Sequence, residues 1–346
     1  MAGGTGGHIF PALAIASALK SAGYEILWLG TRGRMEEKLV PQYGYPIRYI
    51  DVRGIRRNGL KAKLAAPFMV AGALRGAMAV LKEFKPQVVL GMGGYASGPG
   101  GLAAWLKRIP LVLHEQNAAA GLTNRILSRF AAAVMLGFPG AFSGSKVTVT
   151  GNPLRDEIAL LHGRPRDFNK PVLKIFILGG SLGARALNEN VPPALLKIKE
   201  GIEVVHQCGA GNRAGVEQRY AGAPFRVTVS DFIDDMAGTY SAADLIICRG
   251  GASTVAEVAC TGLPAIFVPL PTAVDDHQTK NAGFLREAGA AEILSQDRLT
   301  PDTLAALVRE LLTERSRLKQ MSGRAYGCAI VDAAARAVKI IDGFIK

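Results

Sequence analysis

Gly3-Gly4-Thr5-Gly6-Gly7-His8 opens this 346-residue chain and runs into a helical pattern that begins near Phe10-Pro11-Ala12. Glycine reaches positive φ and leaves backbone N–H groups uncovered, and a helix starting just behind adds the positive end of its dipole. The loop therefore reads as a cradle for something phosphorylated, against the plainer alternative of a tight turn. It is not a dinucleotide fingerprint. Counting G-x-G-x-x-G from Gly4 puts Ile9 where the third glycine must sit, which disfavours NAD. In an open α/β sheet such a loop follows a central strand, yet only Met1 and Ala2 precede Gly3. The first strand is thus expected to be absent, with Met1 an internal methionine, at a cost of several kcal/mol out of a total that is usually about 5 to 15.

Downstream, short apolar runs alternate with helical patterns, the mark of parallel βαβ units. Strands are expected at Glu25–Leu29, Ile47–Ile50, Val88–Leu90, Leu111–His114, Val134–Leu136 and Lys146–Val149. A second series follows at Leu173–Leu178, Glu203–His206, Arg226–Val229, Asp244–Cys248 and Ala265–Val268. The polar stretch Asn152–Lys170, with Pro153, Pro165 and Pro171 beside it, reads as a linker. The expectation is an α/β protein of two doubly wound domains with a cleft between them. Two more glycine loops follow strands, Gly91–Gly101 and Gly179-Gly180-Ser181-Leu182-Gly183-Ala184-Arg185, and together the three suggest two phosphorylated ligands.

Charge divides the halves. Residues 1–155 hold 19 Lys and Arg against 6 Asp and Glu, whereas residues 156–346 hold 22 of each, so the whole excess of +13 lies in the first half. A basic domain beside a neutral one implies an anionic partner for that domain alone: a nucleic acid, an anionic lipid surface or a phosphate-rich substrate. No recognised nucleic-acid motif accompanies the charge. The stretch Leu64–Leu81 is apolar but for Arg75, and Arg53, Arg56, Arg57, Lys61 and Lys63 precede it. It reads equally as a core helix or as an apolar patch rimmed by cations that lies on an anionic bilayer. Four cysteines spread widely through the second half suit neither a disulfide framework nor a metal cluster, and no signal peptide precedes the loop, so a reduced cytosolic setting is expected.

Chemistry concentrates in a few places. Cys248-Arg249-Gly250-Gly251-Ala252-Ser253-Thr254-Val255-Ala256-Glu257 is a strand end, a glycine turn and a helix start with two hydroxyls, which suits a diphosphate. Glu257 follows a turn later, where a carboxylate can accept both hydroxyls of a ribose; a capping box is the structural alternative. His114-Glu115-Gln116-Asn117 ends a strand, where ligands of parallel sheets bind, and offers His114 or Glu115 as a base. His8 is the other candidate base. No Asp-x-Asp triplet is present, so charge on a leaving group is expected to meet helix N-termini and Arg155, Arg185 or Arg249 rather than a metal.

Taken together, Gly3–His8, Gly91–Gly101, His114–Asn117, Gly151-Asn152-Pro153, Gly179–Arg185, Phe232–Met236, Cys248–Glu257 and Asp276-His277-Gln278 resemble the MurG family of bacterial cell-wall N-acetylglucosaminyltransferases over the whole chain. The resemblance implies a GT-B fold. It also implies inverting transfer of N-acetylglucosamine from UDP-N-acetylglucosamine to the 4-hydroxyl of lipid-linked N-acetylmuramoyl-pentapeptide (lipid I), with no cofactor and no metal. Its domains are expected at 1–155 for the acceptor and membrane, 156–325 for the UDP-sugar, and 326–346 as a helix packing back on the first. Donor contacts would fall on Thr5, Gly6, Gly7, Asn117, Arg155, Ser181, Ile233, Ala252, Ser253, Thr254, Val255, Ala256, Glu257 and Gln278. Acceptor contacts would fall on Gly4, Gly93, Gly94 and Tyr95, and His8 is the first choice of base, with Glu115 and His114 behind it.

The implied partners are UDP-N-acetylglucosamine, lipid I, an anionic membrane surface and other cell-wall synthesis proteins, with no nucleic acid. The implied location is the cytoplasmic face of the inner membrane, peripherally. Leu182 and Gly250 stand where some relatives carry glutamine and serine, so side-chain contacts from those positions are not expected. Rival readings are another GT-B glycolipid glycosyltransferase, a UDP-sugar epimerase, or a membrane scaffold without catalysis.

Overall fold

In the computed structural model the described residues are 1–52, 60–180, 183–198 and 201–345, with side chains of the helix that starts at Leu60 described from residue 69. The chain divides into two compact units, Met1–Arg155 with Asp332–Lys346, and Asp156–Val331.

In the first unit, helix α1 (Gly6–Ser21) is followed by strand β1 (Trp28–Gly30), α2 (Met35–Gln42), β2 (Ile47–Tyr49), α3 (Leu60–Phe84), β3 (Val89–Gly91), α4 (Ser97–Leu106), β4 (Leu111–Glu115), α5 (Leu122–Leu127), β5 (Ala133–Leu136) and β6 (Val147–Val149). The strands form two separate parallel sheets, β1-β2 and β3-β4-β5-β6. All five residues of β4 are buried, as expected of a strand covered on both faces. Met1 lies along the free side of β3: its nitrogen donates to the Leu90 carbonyl at 2.8 Å and its carbonyl accepts from Met92 N–H at 2.9 Å. The Ala2 carbonyl accepts from Trp28 Nε1 at 2.9 Å. No other backbone pairing bridges β1 and β3 among the described residues. Alongside Met1 lies a cavity of about 140 Å³, lined by Ala12 and Ala16 of α1, by Trp28 and Leu29 of β1, and by Val89 and Leu90 of β3.

The second unit carries α6 (Asp156–Ala159), β7 (Leu173–Leu178), α7 (Arg185–Leu195), β8 (Ile202–Gln207), α8 (Arg213–Arg219), β9 (Val227–Ser230), α9 (Met236–Ala242), β10 (Leu245–Cys248), α10 (Ala252–Thr261), β11 (Ala265–Phe267), α11 (His277–Glu287), β12 (Ala291–Ile293), α12 (Pro301–Thr313) and α13 (Arg315–Cys328). Its six strands make one continuous parallel sheet in the order β12-β11-β10-β7-β8-β9. The order reverses between β10 and β7, so the glycine loops after both strands lie at the topological switch point where parallel sheets bind ligands. Strand β12 was not expected, because a three-residue run in Ala-Glu-Ile offers almost no apolar signal. Helix α14 (Ala333–Asp342) returns to the first unit and buries Ala337 and Ile341 in a core shared with Ile9, Leu13 and Ile15 of α1.

The apolar stretch Leu64–Leu81 falls within α3. Ala73, Ala77 and Leu81, spaced one turn apart, are buried in the core with Ile50, while Val70 is exposed. Arg53, Arg56 and Arg57 lie outside the described residues, as do the side chains of Lys61 and Lys63. No helix among the described residues is long and apolar enough to cross a membrane.

Candidate functional site

Each unit presents its own half of the chemistry expected from the sequence. In the first unit, α1 begins at Gly6 behind Thr5, so the first-turn N–H groups, Gly6 and Gly7 among them, have no acceptor within the helix. Thr5 and Gly7 are exposed, and Gly4 is half-buried. Glu36, fully buried, shapes the loop from below: it accepts from Gly4 N–H at 2.9 Å, from Thr31 N–H at 3.1 Å and from the Thr31 hydroxyl at 2.7 Å. The second glycine loop is keyed into the first. Gly94 has φ +83° and a Cβ there would lie 2.4 Å from the Gly3 carbonyl oxygen, so only glycine permits the close approach. Gly93 gives room to the His8 ring, whose Cε1 would lie 3.1 Å from a Cβ at that position. Tyr95 is exposed, with the Arg34 guanidinium 5.3 Å from its ring centre.

His8 is tied to His114 through Gln116. His8 Nδ1 lies 2.8 Å from Gln116 Oε1, Gln116 Nε2 lies 3.1 Å from His114 Nδ1, and His114 Nε2 lies 3.0 Å from the Gly151 carbonyl. His114 is wholly buried, and desolvation pulls its pKa down to about 4 against the opposing pull of the Gly151 hydrogen bond. Glu115 is buried too. Its carboxylate accepts from Asn117 N–H and Asn117 Nδ2, from Gly121 N–H and from Asn124 Nδ2, at 3.0 to 3.2 Å. His114 and Glu115, expected as second-choice bases, are thus placed beneath the site with their polar atoms engaged. His8 is half-buried, and its Nε2 has no hydrogen-bond partner among the described residues. Arg155, the last residue of the first unit's main segment, is half-buried.

In the second unit, α10 starts at Ala252 with Gly251 as its cap, and the first helical bond runs from Val255 N–H to the Gly251 carbonyl at 2.9 Å. The N–H groups of Ala252, Ser253 and Thr254 therefore have no acceptor within the helix. The Ser253 hydroxyl is buried without a hydrogen-bond partner among the described residues. Val255 is buried, Ala256 is half-buried, and Glu257, one turn on, accepts from the Tyr240 hydroxyl at 2.8 Å. Gly250 admits no side chain because a Cβ would lie 2.2 Å from the Gln278 carbonyl oxygen. Gln278 turns its side chain to accept from Leu270 N–H at 2.9 Å, and the preceding Asp275 and Asp276 both hold left-handed φ, a strained pair of the kind that clusters at ligand sites. Ile233 is half-buried just after β9, beside the exposed Phe232. Ser181 and Leu182 lie outside the described residues.

Two arginines expected to meet leaving-group charge already have hydrogen-bond partners. Arg249 donates to the carbonyls of Val268 and Pro269 and to Gln296 Oε1, and Arg185 pairs with Glu189 one turn along α7. Three residues that hold the loops carry no role in the sequence analysis, although Gln116 lies in the motif quoted there. Gln207 bridges Gly180 through both ends of its amide, accepting from the N–H at 2.9 Å and donating to the carbonyl at 3.1 Å. Glu36 and Gln116 hold the first-unit loops, Glu36 by accepting from Gly4 and Thr31 and Gln116 through the His8 ring. Only Gln116 left a sequence signal, two residues beyond His114 at the strand end and so on the same side.

Residues 1–136 match the Glycosyltransferase family 28 N-terminal domain, and residues 174–340 match the Glycosyltransferase family 28 C-terminal domain. A protein of Aeromonas hydrophila subsp. hydrophila named UDP-N-acetylglucosamine--N-acetylmuramyl-(pentapeptide) pyrophosphoryl-undecaprenol N-acetylglucosamine transferase is 55% identical over 337 residues, 97% of this chain and 93% of that protein. The crystal structure of Acinetobacter baumannii MurG is 45% identical, covers 99% of this chain and 98% of its own, and superposes with a TM-score of 0.86. The chain belongs to the MurG family. Its two domains with parallel sheets are those of a GT-B glycosyltransferase. A UDP-GlcNAc 2-epimerase from Neisseria meningitidis, 14% identical with a TM-score of 0.68, shares the fold.

Proposed function

We propose that this chain transfers N-acetylglucosamine from UDP-N-acetylglucosamine to the 4-hydroxyl of N-acetylmuramoyl-(pentapeptide)-pyrophosphoryl-undecaprenol, giving lipid II and UDP in peptidoglycan synthesis. The observation that carries the reading is the 55% identity to the Aeromonas transferase over nearly the whole of both chains, together with a first-unit histidine whose Nε2 is left open. The new C1–O bond forms as the bond from C1 to the UDP phosphate breaks, with inversion. His8 Nε2 takes the proton of the attacking hydroxyl. Charge on the departing diphosphate is met by the N–H groups of Ala252, Ser253 and Thr254 and by the Ser253 hydroxyl. Glu257, steadied by Tyr240, accepts from the ribose hydroxyls, Ile233 holds uracil through its backbone, and Gln278 addresses the sugar. Gly4, Gly93, Gly94 and Tyr95 meet the acceptor.

Membrane contact belongs to the first unit. Trp105 and Phe130, their rings 4.7 Å apart, are exposed with Leu106, Leu122 and Ile126 at the end of α4 and along α5. Lys107, Arg108, Arg125 and Arg129 lie next to them in sequence, and the first half carries the chain's whole positive excess. Such a patch suits peripheral attachment to an anionic bilayer, on the cytoplasmic face of the inner membrane, in service of cell shape and division. Incubation with UDP-N-acetylglucosamine and each of three acceptor conditions tests the reading: the muramoyl lipid, diacylglycerol, and none. Mass and NMR analysis should find one added β-linked N-acetylhexosamine on the muramoyl lipid alone. A glycosylated diacylglycerol, or epimerised UDP-sugar formed without acceptor, would overturn it.

A further inference from the structure

The hydrogen bonds around Gln116 fix more than position, because each link allows only one direction. A carbonyl oxygen can only accept, so His114 Nε2, 3.0 Å from the Gly151 oxygen, carries a proton. Wholly buried, and with its pKa pulled down to about 4, His114 is neutral near pH 7, so its Nδ1 is a bare acceptor. The Gln116 amide end that faces this Nδ1 at 3.1 Å also faces the His114 carbonyl oxygen at 3.1 Å. Two acceptors demand the NH₂ end there, which turns Oε1 towards His8. Oε1 is an acceptor, and it lies 2.8 Å from His8 Nδ1. The Gln116 backbone is itself pinned, its carbonyl accepting from Asn152 Nδ2 at 3.0 Å.

We propose that Gln116 is a positioning residue that locks neutral His8 in the Nδ1–H tautomer, relaying the lock from the Gly151 carbonyl through His114, and so keeps the Nε2 lone pair ready for the acceptor hydroxyl. The consequence for catalysis rests on the reading of His8 as the base; the tautomer itself does not. A relay of neutral groups does the work that a buried carboxylate does in a Ser-His-Asp triad, where supporting the wrong tautomer lowers kcat by about 10⁴.

The test is the long-range ¹H–¹⁵N correlation spectrum of histidine-labelled full-length protein at about pH 8, above the ordinary histidine pKa of about 6.5. His8 signals are assigned by their loss in His8→Gln. The wild-type chain should show His8 with its proton on Nδ1. In Gln116→Met, of similar volume, His8 should shift to a mixture rich in the Nε2–H form. kcat should fall about 10²- to 10⁴-fold with the KM for UDP-N-acetylglucosamine changed less than threefold. A wild-type His8 protonated on Nε2 would overturn the proposal outright, whether or not the variant folds. So would a Gln116→Met chain with an unchanged tautomer. If instead His8→Gln retains full turnover while the wild-type tautomer is as stated, the lock stands and the base assignment fails.

Discussion

Both units brace their glycine loops with buried side chains, but they offer different groups to a ligand. In the first, buried side chains do the holding: Glu36 takes up Gly4 and Thr31, and His8 is fixed by Gln116 from 108 residues away. In the second, buried Gln207 and Asn281 brace Gly180 and Gly250, and α10 presents first-turn N–H groups and a Ser253 hydroxyl with no hydrogen-bond partner among the described residues. The difference follows from the tasks. A group that takes a proton must be held in one tautomer and one orientation, which needs specific donors and acceptors around it. An anion cradle needs open backbone donors and a helix start, and side chains there are filled by the ligand. The sheets differ as well: six continuous strands in the second unit, and two sheets with a cavity of about 140 Å³ between β1 and β3 in the first.

If this division of labour is right, His8→Gln should lower kcat about 10²- to 10⁴-fold while calorimetry finds UDP affinity unchanged. A parallel loss of UDP binding would break the contrast. Glu257→Ala should do the reverse. Losing two charge-assisted hydrogen bonds of about 1.5 to 3 kcal/mol each should weaken UDP about 10²-fold or more, with single-turnover transfer at saturation much less affected. The glycines sharpen the comparison by stability. Gly94→Ala must push against the Gly3 carbonyl as well as adopt a left-handed φ, and should cost about 3 kcal/mol in chemical denaturation. Gly180→Ala, with φ +81° and no atom of the described residues within 4 Å of the new methyl, should cost only about 1 to 2 kcal/mol.

Smaller effects follow at the first unit's surface and cavity. Trp105→Glu should lower partitioning onto anionic vesicles about tenfold, as sedimentation measures it, with turnover of a short-chain soluble acceptor retained. Ala16→Leu, placed on the wall of the cavity, should stabilise by about 1 kcal/mol and raise the Tm by about 2 °C; an unchanged or lower Tm would mean that the space is already filled.

The legible part of this molecule was its repetition. Buried parallel strands read as apolar runs, and Leu173–Leu178 was located to the residue. Glycine turns into helices announced the α10 start within one residue, at Ala252. What sequence could not show was which distant groups meet. His8 and Gln116 are joined by the β3–β4 half of the unit, and Gln207 reaches Gly180 across 27 residues, so no local period carries either pair. Arg249 looked available because its position after β10 faces the ligand end of the sheet, but carbonyls of Val268 and Pro269, in the next strand's loop, claim it first. Leu64–Leu81 reads equally as a core helix or a membrane patch, and of its described side chains Ala73, Ala77 and Leu81 pack in the core while Val70 is exposed. Exposed Trp105 and Phe130 lie on α4 and after α5, where a single Trp and a single Phe make no run.

Acceptor-dependent transfer shows most directly in the rate of UDP release by the wild-type chain at saturating UDP-N-acetylglucosamine as muramoyl-pentapeptide lipid acceptor is titrated in. Release should be slow without acceptor, rise to a plateau with it, and match mole for mole the appearance of the disaccharide lipid. Release independent of acceptor, or none from a folded chain that binds UDP, would contradict it.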